Sequence, residues 1–75
     1  MNLYEAKKNI NYRVKNIDGD SELKSRLASF GISKEASIRV VAYGAMKSTI
    51  DVEVEESGCV ALRHSEAKAI EVEYE

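Results

Sequence analysis

The chain is expected to fold as a small, mainly-β antiparallel barrel with one inserted helix. Three observations predict it. Short segments alternating apolar and polar residues recur from Ile10 to Tyr74. One stretch, about residues 21–30, carries apolar residues at helical spacing. Most links between these segments are too short for the crossovers that parallel strands need, and short antiparallel strands tend to curl until exposed edges disappear. With 75 residues the chain has room for a single domain, residues 1–75. A domain of this size buries only about 60% of its unfolded surface. Cys59 is the only cysteine, so no disulfide helps, and no Cys/His cluster offers a zinc site. The fold must rest on one apolar core, for which an apolar fraction of 44% is sufficient.

Each element has a local reason. Asn2 is suited to accept a backbone N–H, and Glu5 stands where a capping box wants an acid, so residues 3–6 read as a helical turn. Lys8-Asn9 is a turn, because asparagine tolerates left-handed backbone. Ile10, Tyr12 and Val14 alternate with Asn11, Arg13 and Lys15, a half-buried strand that Asp18-Gly19-Asp20 breaks. Asp20 or Ser21 can cap the helix, whose stripe is Leu23, Leu27 and Phe30. Gly31 occupies the place for a left-handed residue after the helix, with Ile32 closing over Leu27 as in a Schellman motif.

Ser37–Tyr43 is the second strand, with Ile38, Val40 and Ala42 toward the core. A loop at Gly44–Lys47 precedes a third strand in which Ile50, Val52 and Val54 alternate with Asp51, Glu53 and Glu55. Glu56-Ser57-Gly58 is a tight turn. Cys59–Arg63 is the fourth strand, residues 65–68 a short helical turn capped by Ser65, and Ala69–Glu75 a last strand with Ile70, Val72 and Tyr74 inward. No repeat, low-complexity tract or linker divides the chain.

Charge is uneven along the chain. Residues 1–47 carry nine Lys/Arg and five Asp/Glu, and residues 48–75 carry two and eight. Either these are ordinary solvated strand faces, or they form a polarised surface that orients a partner. No apolar run of about 18 residues offers a transmembrane helix, and the start of the chain does not read as a secretory signal. A free thiol without a signal predicts a cytoplasmic protein.

The chemistry-bearing residues are few. Cys59 and His64 are the soft ligands, five positions apart, which in one strand places them on opposite faces. They do not make a closed site, so Cys59 is expected semi-buried and His64 at the surface; a weak external metal site would use His64 with Glu66. Glu66 reads as an exposed partner of Arg63. It has no second acid and no visible pocket to raise its pKa, and His64 has no companion for a triad, so the chain is not expected to be an enzyme. Arg26 points off the apolar helix stripe beside Lys24, and arginine is enriched at interface hot spots. Lys24, Arg26, Arg63 and Glu66 are therefore the candidate partner-binding residues.

Leu23-x-x-Arg26-Leu27 with Gly31-Ile32, then Gly58-x-Val60-Ala61-Leu62-Arg63, Glu66-Ala67 and Ile70-x-Val72, in this order, resembles the FeoA family over nearly the whole chain, from about Leu3 to Val72. The resemblance implies an SH3-like five-stranded antiparallel β-barrel and a cytoplasmic accessory protein of bacterial ferrous iron uptake. Its implied partner is the cytosolic part of the FeoB-type membrane transporter. It also implies kinship with the C-terminal domain of iron-dependent repressors, so a transition-metal link and a repressor-type SH3-like binding module are a second reading. The family commonly has glycine where this chain has Asn9, and Pro-Gly where it has Lys34-Glu35. The Ser33–Ala36 turn is accordingly expected not to use glycine geometry. Small barrels also bind nucleic acid, but a pI of about 5.4 disfavours that, and with 7% aromatic residues and no Trp an SH3-type peptide groove would be poor. No cofactor is expected, and a monomer or weak homodimer is.

Overall fold

Apolar positions decide where the strands lie. A computed structural model describes residues 1–55 and 57–75, so the expected role of Glu56 in its turn lies outside the described residues. Strands β1 (Tyr12–Ile17), β2 (Ser37–Tyr43), β3 (Thr49–Val54), β4 (Gly58–Arg63) and β5 (Ile70–Tyr74) form one antiparallel sheet in the order β4-β3-β2-β1-β5. Helix α1 (Ser21–Ser29) joins β1 to β2, and the five-residue α2 (His64–Lys68) joins β4 to β5. A single 3₁₀ turn stands at Leu3–Glu5, and a tight turn with left-handed Met46 and Lys47 spans Ala45–Lys47. The expected mainly-β class is met, yet the hydrogen-bonded ladder does not close. β4 and β5 remain its two ends, and α2 carries the chain between them against the first 3₁₀ turn.

The inward positions are those the alternation marks, with three exceptions, Ile10, Ala42 and Tyr74. Tyr12, Val14, Ile38, Val40, Ile50, Val52 and Val54 are buried. The first strand begins at Tyr12 rather than Ile10 and runs on to Ile17. A bulge between Val14 and Asn16 shifts the register against β5, which returns Ile17 to the core face after two exposed residues. A second bulge, between Val40 and Ala42, leaves Ala42 only half-buried. Tyr74, expected inward, is 60% exposed: it lies at the last position of an edge strand, where its ring packs on Tyr12 at 5.2 Å.

Helix termini follow local rules. Asp20 accepts the Leu23 N–H at 2.9 Å, and Asn2 with Glu5 forms the expected capping box. At the exit of α1 the Ile32 N–H donates to the Leu27 carbonyl and the Gly31 N–H to the Ala28 carbonyl, each at 2.9 Å. This is the full Schellman pair, and Gly31 takes the φ of 85° it requires. Leu27 is fully buried, whereas Leu23 and Phe30 only flank the core.

The Ser33–Ala36 turn corrects the expectation made for it. Glu35 adopts φ 72°, and the Ala36 N–H donates to the Ser33 carbonyl at 3.0 Å. A left-handed third residue closed by that bond is the geometry a Pro-Gly pair favours, taken here without glycine. Three bonds hold it: the Glu35 N–H to the Val14 carbonyl at 2.8 Å, Arg13 to the Glu35 carbonyl at 3.0 Å, and Lys15 to the Glu35 carboxylate at 3.0 Å. The Lys15 hydrogen bond and charge lower the Glu35 pKa below its ordinary value, and Glu35 raises that of Lys15. Asn9, at φ 64°, likewise takes the left-handed turn expected of it.

The charge asymmetry does not become a two-sided surface. Sheet order sets β1 beside β5 and β2 beside β3, so early cations meet late carboxylates. Arg13 pairs with Glu75 at 3.1 Å, Lys15 with Glu73 at 3.5 Å, and Arg39 with Glu53. These strand faces are cross-paired rather than polarised. At such exposure solvent screens these pairs and they add little stability.

Candidate functional site

Two of the four candidate partner-binding residues meet side chain to side chain. Arg26 Nη1 of α1 lies 3.4 Å from Glu66 Oε2 of α2. Glu66 is not the exposed residue the sequence suggested. It is the buried charged residue among those described, only 8% exposed, and its other oxygen accepts the Arg63 backbone N–H at 2.9 Å. It thus bonds Arg63 through the main chain, not through the guanidinium. Sequence reasoning missed this because the Arg26–Glu66 contact spans forty positions with no local signal.

The consequence is a cation held in one direction. A buried carboxylate needs compensating partners, and Glu66 has a hydrogen bond from its own helix start and the opposite charge of Arg26 at 3.4 Å. The Arg26 guanidinium also lies 5.6 Å from the centre of the Phe30 ring. Its side chain remains 48% exposed, so it is anchored yet available. Asp20, Glu22 and Leu23 line the shallow depression around this pair.

Lys24 and Arg63 are not brought into that pair. Lys24 lies on the same helix but lines a separate groove of about 300 Å³ with Asn16, Ile17, Ala28, Ile32 and Lys34. Arg63 ends β4, pairs with Thr49 in the ladder and is exposed. It is also the residue before α2, so the cap is Arg63 and not Ser65. An arginine side chain has no acceptor, so the helix start is satisfied by others: Glu66 accepts the Arg63 N–H and the Ser48 carbonyl accepts the His64 N–H at 3.0 Å.

Among the described residues the metal candidates do not gather into a group of three or more ligands. Cys59, expected semi-buried, is exposed near the start of the edge strand and pairs with Glu53. His64 does not belong to that strand at all. It opens α2, with its ring 6.0 Å from that of Tyr4, so the opposite-face argument from strand period does not describe it. Among the described residues no group of three or more His, Cys, Asp or Glu side chains could hold a metal ion. No helix among them is long and apolar enough to cross a membrane.

The geometry fits known proteins end to end. A Campylobacter jejuni protein named "Putative Fe(2+) transport protein A" is 40% identical over 72 residues, covering 96% of each chain. The structure of the FeoA-like protein from Clostridium acetobutylicum superposes with a TM-score of 0.85 at 26% identity, over 99% of this chain and 85% of that one. A manganese-dependent transcriptional repressor in complex with manganese gives a TM-score of 0.90 at 26% identity, over all of this chain but 36% of the repressor. A family model described as the FeoA domain matches residues 1–74. With that match spanning almost every residue, and the helix exit and C-terminal signature both built as described, the chain belongs to the FeoA domain family.

Proposed function

We propose that this chain is a cytoplasmic accessory protein of ferrous iron uptake that works as one domain, residues 1–75, by binding the cytosolic part of a FeoB-type transporter. Family membership and the name of the Campylobacter jejuni relative support the transport context. The observation that carries a binding role is Arg26, fixed by buried Glu66 and Phe30 yet half exposed. A guanidinium whose rotamers are already restricted loses less entropy on meeting a carboxylate or carbonyl of a partner. Arg26 and Lys24 would contact the partner along α1, Arg63 would extend the contact, and Glu66 acts through Arg26 as a positioning residue. Nothing in this reading requires catalysis by the chain, a cofactor or nucleic acid, and the protein would work as a monomer or weak dimer.

A pull-down of the full chain on the cytosolic portion of the transporter, with and without guanine nucleotide, tests it. Wild type should be retained in at least one nucleotide state, and Arg26→Glu should lose about tenfold in affinity while keeping its far-UV circular dichroism. Retention in no state removes the proposal.

The likeness to the manganese-dependent repressor favours a second reading, a binding module of the repressor type. It predicts retention on a repressor-type partner and none on the transporter.

A further inference from the structure

Away from the Arg26 flank, one face gathers aromatic rings and cations from four parts of the chain. Tyr4 of the first 3₁₀ turn has Lys47 Nζ 5.4 Å and Lys68 Nζ 5.1 Å from its ring centre. Lys47 Nζ also lies 4.7 Å from the Tyr43 ring, and the His64 ring is 6.0 Å from that of Tyr4. The Tyr4 hydroxyl donates to the Lys47 carbonyl at 3.2 Å, and the Tyr43 hydroxyl to the Ala6 carbonyl at 2.7 Å. The first turn, the end of β2, the 45–47 turn and α2 are thereby tied together.

Packing against the core accounts for Tyr4 and Tyr43, but not for the cations gathered over them. Arg13, Lys15, Arg26 and Arg39 each have a carboxylate within 4 Å. Among the described residues Lys47 and Lys68, like Lys7, Lys8, Lys24, Lys34 and Arg63, form no such ion pair; what sets these two apart is that both ammonium groups lie over the Tyr4 ring. The backbone adds an independent sign. Met46 and Lys47 take φ of 54° and 57°, left-handed for two bulky residues in succession. Such strain costs on the order of 1 kcal/mol per residue and concentrates at functional sites. Burial does not offset it, because Met46 is 99% exposed. The turn holds an apolar side chain in water next to Lys47, and the Lys47 and Lys68 ammonium groups lie over aromatic rings.

We infer that Tyr4, Met46, Lys47, His64 and Lys68 form a docking surface for an acidic protein segment that carries an apolar side chain. Carboxylates of the segment meet Lys47 and Lys68, which the rings already hold in place, so little side-chain freedom is lost on binding. The apolar residue covers Met46, whose unbranched thioether adapts to varied shapes. An anionic membrane is the poorer match, because electrostatic lipid binding draws on clusters of about four to eight basic residues. Glu66, which holds Arg26, and Lys68 are two positions apart on α2 and so point to different sides. This surface therefore stands or falls separately from the Arg26 contact proposed above.

The test is an NMR titration of the full ¹⁵N-labelled chain with a synthetic peptide of glutamates around a central leucine. Saturable shifts confined to Tyr4, Met46, Lys47, His64, Lys68 and their neighbours are expected. Lys47→Glu with Lys68→Glu should weaken binding about tenfold and Met46→Ser about threefold. Lys68→Glu alone, at an exposed position, should weaken it severalfold and serves if the double variant does not fold. Shifts spread over Lys7, Lys8, Lys24 and Lys34, indifference to charge reversal, or binding of phosphatidylglycerol vesicles or an RNA oligomer in place of the peptide would each overturn the inference. Loss of transporter binding by Arg26→Glu with peptide binding intact would bear only on the earlier proposal.

Discussion

The two helices of this small domain are built on opposite principles. α1 is nine residues long and carries its own instructions: Asp20 caps its start, Leu27 fixes its buried face, and Gly31 with Ile32 closes its end. α2 is five residues long, has no side-chain cap from Arg63, and depends on Glu66. An isolated helix of that length is not stable in water. α2 exists because β4 and β5 must be joined, Ala67 packs in the core, and Glu66 satisfies both the Arg63 N–H and Arg26. A self-capped element can be read from a short window of sequence; one held by distant partners cannot.

Substitutions at Glu66 should give the largest effect on this contrast. Glu66→Ala leaves the Arg63 N–H without its acceptor and Arg26 without its carboxylate, so a loss of about 2 kcal/mol is expected from urea denaturation. Glu66→Gln retains the acceptor oxygen and should cost less than half as much. Equal losses in the two variants would make the charge, not the cap, the feature that holds α2. Asp20→Ala tests the self-capped helix, with about 1 kcal/mol lost and no change at α2 amides in hydrogen exchange. Loss of α2 protection in Asp20→Ala would show that the two helices are one cooperative unit.

The smallest effect comes from a pair outside both helices. Lys15 lowers the pKa of Glu35, so the contribution of the carboxylate is present above the ordinary value of 4.5 and is lost as pH falls through the lowered one. The raised pKa of Lys15 contributes below its ordinary 10.5 and is lost only at more alkaline pH. The melting-temperature difference between wild type and Glu35→Gln should therefore shrink on acidification below pH 4.5. Both groups are exposed, so the change is small; a difference unaltered at acid pH would show that the left-handed turn is held by backbone bonds alone.

Legibility tracked the range of the interaction. Inward positions of β3 and, apart from Ala42, of β2, the Schellman exit and the capping box at Asn2 were readable, because each is set by neighbours within a few residues. Glu35 was misread for the reverse reason. Its left-handed turn is held by Val14, Arg13 and Lys15, some twenty positions earlier. The candidate site was legible only as a set of names. Arg26 and Glu66 were singled out because folding rules left them over, but nothing in the spacing joined them. Tyr4, Met46 and Lys47 carried no sequence signal, since their juxtaposition needs the first turn to lie against the 45–47 turn.

By itself the sequence determined the strand faces, the ends of α1 and membership in a fold family, since apolar alternation and capping are short-range chemistry. Tertiary structure decided the rest. Sheet order turned a lopsided charge sequence into cross-strand pairs, left the ladder open between β4 and β5, and buried Glu66 against Arg26. Those outcomes depend on which distant segments become neighbours, and the shared core fixes that, because the apolar faces of strands far apart in sequence must all be buried together.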